Sequence, residues 1–184
     1  MRNFELHNYQ KQVILGTLLG TSCVRKHPRG RNHSLYMRAT DDLNWFRVKC
    51  KHLEEYARDP YSEGTTWESC SHPIWNDFRE VCYKDGKKQA TMEWLDCLSD
   101  IGMSVWFLDK GGICGNRSYI RIANLEEQDV VARWFSEVGY PCVIRKQVIV
   151  FDNEISRRFL KAVTPCFPKY LLDKSNPYRV RKYL

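Results

Sequence analysis

The chain has 184 residues, 43% hydrophobic and 13% aromatic, enough to bury one sizeable core or two small packed halves. Its 29 Lys and Arg against 22 Asp and Glu leave a formal charge of +7 at pH 7, which favours a polyanionic partner. No stretch is apolar and long enough to span a membrane, and residues 1–10 are polar with no apolar export core, so neither a membrane partner nor secretion is expected.

In chain order, residues 9–20 read as an apolar helix whose Val13, Leu15, Leu18 and Leu19 fill more than one face, the pattern of a buried helix. A basic loop follows, Arg25-Lys26-His27-Pro28-Arg29-Gly30-Arg31-Asn32-His33, between strand-like residues 22–24 and 35–38, so a hairpin is expected. Asp41 and Asp42 open a helix to about residue 57, with Leu43, Phe46, Val48, Cys50 and Leu53 as its apolar set. A short strand near 65–70 leads to a helix at 74–83, and residues 84–88 read as a turn and linker.

The plan then repeats. Residues 98–109 give a second apolar helix, closed by Gly111-Gly112. Residues 118–123 alternate as a strand, 126–138 form an amphipathic helix, and 142–144 pair with 148–151 around Arg145-Lys146-Gln147. A last helix at 153–163 precedes a basic tail at 173–184. The expected fold class is α+β, an αββαββα unit duplicated in one chain, with repeats at 1–90 and 91–172 and the tail beyond them.

The eight cysteines are scattered with no Cys-x-x-Cys pair, against the close ligand pairs of a structural zinc site. They read as reduced thiols used as small apolar residues.

Two segments carry a resemblance. The first is Gln12-Val13-Ile14-Leu15-Gly16-Thr17-Leu18-Leu19-Gly20-Thr21-Ser22, and the second runs from Ser99-Asp100-Ile101-Gly102-Met103 through Val105-Trp106-Phe107-Leu108-Asp109-Lys110-Gly111-Gly112. Together with Tyr83-Lys84-Asp85-Gly86-Lys87-Lys88 and the ending Val163-Thr164-Pro165-Cys166-Phe167-Pro168, they resemble the LAGLIDADG homing endonucleases, in particular the bacterial, phage and organellar intron-type branch. The resemblance implies a cytoplasmic or organellar location. It also implies a monomer with an internal pseudo-twofold axis, in which the two helices pack through Gly16, Gly20, Gly102 and Ser104 and two antiparallel sheets form a saddle on double-stranded DNA.

On that geometry the implied DNA contacts are Arg25, Lys26, Arg29, Arg31, Asn32 and Arg38 in the first half and Arg117, Arg121, Arg145, Lys146 and Gln147 in the second. The family holds its metal on an acid before the terminal glycine of each helix, and here those positions are Thr21 and Lys110. Neither is a hard anionic ligand, so no metal is expected, with Mg2+ required only if cleavage is retained. Asp109, the neighbour of Lys110, is the one residual candidate ligand, while Asp100 reads as a helix cap and His27 and His33 as phosphate-facing or solvated side chains.

Three readings stand at this point. One is a sequence-specific DNA-binding protein without cleavage. Another is an endonuclease with noncognate ligands such as Asp109. The third is an RNA-binding intron maturase, using a basic surface such as Lys174, Arg179, Arg181 and Lys182.

Overall fold

The computed structural model describes residues 5–26, 30–39, 42–58, 64–122 and 124–172. Two central helices organise it: α1 (Asn8–Leu19) and α5 (Asp100–Lys110). Both are apolar all round because they lie between two cores rather than over one; Val13, Ile14 and Leu18 on α1, and Val105, Trp106 and Phe107 on α5, are buried. They meet backbone to backbone. A Cβ on Gly16 would collide with the carbonyl oxygen of Gly102, and one on Gly20 would collide with the Asp109 carboxylate. Gln12 fixes the register, donating to the Cys97 carbonyl and accepting from the Ser99 amide, both at 2.8 Å.

After α1 come β1 (Cys23–Lys26), β2 (His33–Arg38), α2 (Leu43–His52), β3 (Thr66–Glu68) and α3 (Ile74–Cys82). The antiparallel order is β1-β2-β3, continued by a bridge between Ala57 and Ser69. A hairpin of β4 (Tyr83–Lys84) and β5 (Lys87–Lys88) and the short helix α4 (Met92–Asp96) lead into α5. The second half has β6 (Gly111–Cys114), β7 (Arg117–Arg121), α6 (Leu125–Glu137), β8 (Cys142–Arg145), β9 (Val148–Phe151) and α7 (Asn153–Val163), with sheet order β6-β7-β9-β8. The duplicated α+β plan is therefore present, and the first half lets its third strand position shrink to the Ala57–Ser69 bridge.

Local chemistry sets the element ends. Asp42, Asn124 and Asp152 cap α2, α6 and α7 by accepting from the amides of Trp45, Glu126 and Ile155. Residues 84–88 form a tight hairpin rather than a linker, because Asp85 (φ 51°) and Gly86 (φ 76°) both take the left-handed backbone of a two-residue turn. The helix expected to reach residue 57 ends at His52 and gives way to a 3-10 turn at Glu54–Tyr56; Leu43, expected in its apolar set, is 45% exposed. Asp100 is not the cap of α5: Ser99 holds that position and Asp100 lies in the first turn, where its charge suits the helix dipole.

Each half has its own core, and Leu19, Leu98 and Leu108 pack against both. All six tryptophans are buried, so no indole is available to stack on an exposed base. The close approach of α1 and α5 is the most exacting contact. Gly16→Val should cost about 3 kcal/mol of unfolding free energy by overpacking against Gly102 and Val105, measured by urea denaturation.

Candidate nucleic-acid interface

The ends of α1 and α5 lie beside one another, since Gly20 packs on Asp109. Thr21 follows α1, half-exposed, and its hydroxyl donates to the Arg38 carbonyl at 3.3 Å. Lys110 closes α5 and is half-buried. Asp109 turns inward instead. Its side chain is fully buried and its oxygens accept from Lys49 Nζ at 2.6 and 2.8 Å, from Trp45 Nε1 at 2.7 Å and from the Thr17 hydroxyl at 3.1 Å. Lys49, 1% exposed, gives its third proton to Thr17 Oγ1 at 2.9 Å, so every charged group in the cluster is satisfied.

Lys88, on β5, reaches under the same region and donates to the carbonyls of Leu18 and Ser22 at 2.7 and 2.9 Å, closing the C-terminal end of α1. Burial pushes its ammonium below the ordinary lysine range; Cys23 and Glu127 oppose that, and the Lys110 charge adds to it. The centre of the molecule therefore carries two neighbouring lysines rather than a pair of carboxylates.

Strand alternation sorts the remaining candidates. On the first sheet, Val24, Leu35 and Met37 enter the core, leaving Arg25, Tyr36, Arg38 and Glu68 on the outward face. Arg25 and Lys26 belong to β1 rather than to a loop, and the Arg25 guanidinium lies 3.3 Å over the Tyr36 ring. Arg31 is exposed. Asn32 is half-buried: its backbone carbonyl accepts from Ser71 at 3.1 Å and its side-chain oxygen accepts from Asn76 at 3.4 Å. His33 is likewise tied to Asn76, at 2.6 Å. Arg29 and His27, and the tail lysines and arginines, lie outside the described residues.

On the second sheet Ser118, Ile120, Ile149 and Phe151 point into the core, and Arg117, Tyr119, Arg121, Val143, Arg145, Val148 and Val150 face outward. Lys146 and Gln147 are exposed at the tip of the β8–β9 hairpin, with Lys146 in the left-handed region at φ 56°. The structure thus gathers the second-half candidates on one sheet and splits the first-half set.

The family model of the LAGLIDADG DNA endonuclease family matches residues 11–147, which takes in most of α1, all of α5, the first sheet and β6 to β8 of the second. The chain belongs to that family. Among solved structures, the homing endonuclease I-WcaI bound to its DNA recognition sequence superposes with a TM-score of 0.74 at 15% identity, covering 92% of this chain and 87% of the other. I-DmoI in complex with DNA and Mn gives a TM-score of 0.53 at 13% identity, covering 85% and 96% respectively. These likenesses establish the LAGLIDADG fold. No curated protein sequence matches the chain significantly.

A LAGLIDADG metal site would use hard oxygen donors at the helix ends. Thr21 offers a neutral hydroxyl, Lys110 an ammonium, and Asp109, the residual candidate, has its oxygens taken by Lys49, Trp45 and Thr17. This donor set does not fit a divalent ion. Among the described residues no group of three His, Cys, Asp and Glu converges to hold one either.

Lys49 and Lys88 were missed in the sequence reading. Lys49 lies on the helical face of Phe46, Cys50 and Leu53, which should have marked it as a buried charge in need of a partner. Lys49→Met strands the Asp109 carboxylate in the core and should cost about 3–5 kcal/mol. Asp109→Asn should cost a comparable amount, and the double variant less than the sum of the two, as read in a denaturation double-mutant cycle.

Proposed function

We propose that this chain is a monomeric, sequence-specific double-stranded DNA-binding protein that has kept the LAGLIDADG saddle and lost metal-dependent cleavage. The observation that carries the reading is the donor set at the helix ends: a neutral Thr21 and a cationic Lys110 where a hydrolytic site needs carboxylates, with Asp109 bonded to Lys49 and Trp45. A positive centre flanked by outward-facing arginines on both sheets suits a phosphate backbone and a major groove. The DNA-bound state of I-WcaI, whose fold this chain shares over most of its length, supports the same partner. Lys110 then serves as a fixed counter-charge to phosphate in the place of an ion. Retained cleavage through Asp109 is disfavoured by its bonds to Lys49 and Trp45.

A randomised duplex library, bound in magnesium and analysed by sequencing and on a denaturing gel, tests this reading. The expected result is an enriched motif of roughly twenty base pairs recovered intact, since the basic faces supply binding while hydrolysis lacks its ligands. Lys110→Ala should weaken binding and lower the slope of log affinity against log salt by about 1, one phosphate contact being removed. Cleavage at the motif centre by the unaltered chain would overturn the loss of activity. A preference for structured intron RNA over duplex would overturn the choice of partner.

A further inference from the structure

The two sheets present different chemistries to the same groove. On the second sheet, Tyr119, Val150 and Val143 are directly opposite one another across β7, β9 and β8, and Arg121, Val148 and Arg145 form the next cross-strand row. Val143 is 59% exposed, Val148 and Val150 are partly exposed, and the Tyr119 ring lies over Gly112 on β6, where a Cβ would strike it. The outward face is therefore an apolar strip of three valines and an aromatic ring with Arg117, Arg121 and Arg145 around it. Among the described residues the corresponding face of the first sheet has no such strip. It carries Arg25, Tyr36, Arg38 and Glu68, with Glu68 accepting from Ser34 at 2.8 Å and lying 3.8 Å from Arg58.

Folding does not require these valines. Threonine has comparable strand propensity and would fit a solvent-facing strand, whereas an apolar outward face on the edge strand β8 invites association. The arginine surround marks a polyanion as the occupant, and the one apolar group that a DNA major groove offers is the thymine 5-methyl. Resting on the DNA-binding reading above, we infer that Val143, Val148 and Val150 are specificity residues that read thymine methyl groups, so that the second half recognises a thymine-rich half-site while the first half reads through charged and polar groups. RNA lacks that methyl, so the same strip discriminates duplex DNA from RNA.

The test uses the full chain and the duplex enriched from the randomised library, with deoxyuridine replacing thymidine one position at a time. Each replacement in one half-site should weaken binding about fourfold, the effect of one buried methyl, with little change in the other half-site. Val143→Ser and Val150→Ser, which remove both γ-methyl groups on the solvent face, should abolish that sensitivity at their own positions, whereas Arg38→Ala should weaken binding and leave it intact. Tight binding with no methyl dependence, or equal dependence in both half-sites, overturns the inference and leaves the DNA-binding reading standing. Failure to enrich any duplex overturns both.

Discussion

A buried ion pair joins the halves of this molecule. Lys49 comes from α2 and Thr17 from α1, both in the first half, while Asp109 comes from α5, in the second. Removing two charges from water is costly, and the cost is offset here because each proton and each carboxylate oxygen has a partner. That satisfaction exists only when α1 and α5 are in register and α2 is docked across them. Hydrophobic contact between the two cores through Leu19, Leu98 and Leu108 is tolerant of small slips; the Lys49 cluster and the Gly16–Gly102 contact are not. Everything at the helix ends, including where Thr21, Lys110 and Lys88 stand, is set by that register.

The same pair also decides what the centre can do chemically. Two successive residues at the end of α5 differ in fate: Asp109 turns inward to Lys49, while Lys110 stays half-buried. The carboxylate that remains in the motif thus serves cohesion, and the last residue of α5 is a lysine.

Outside the centre, the duplicated fold supports an unequal pair of surfaces. The paired register of β7, β9 and β8 stacks valines with valines and tyrosine, whereas β1, β2 and β3 set arginines against tyrosine and glutamate. Internal duplication fixes where two sheet faces lie; it leaves their side chains free to differ, and here one is apolar at its middle and the other charged.

Much of this was legible in the chain. The two glycine-bearing apolar helices, the turn at 84–88, the helix opening at Asp42 and the β8–β9 hairpin are local signals, dictated by short-range sterics and hydrogen bonding, and the α+β duplication follows from their order. The substitution of both metal-holding positions by Thr21 and Lys110 was equally a matter of sequence. Which partner a polar side chain takes was not. The Asn32 side chain accepts from Asn76, Asp109 is paired with a lysine 60 residues away, and the valines of β8 and β9 are aligned into one strip only by strand pairing. Those outcomes depend on long-range register, where energies of a few hydrogen bonds and one ion pair select among arrangements that the local sequence leaves equally open.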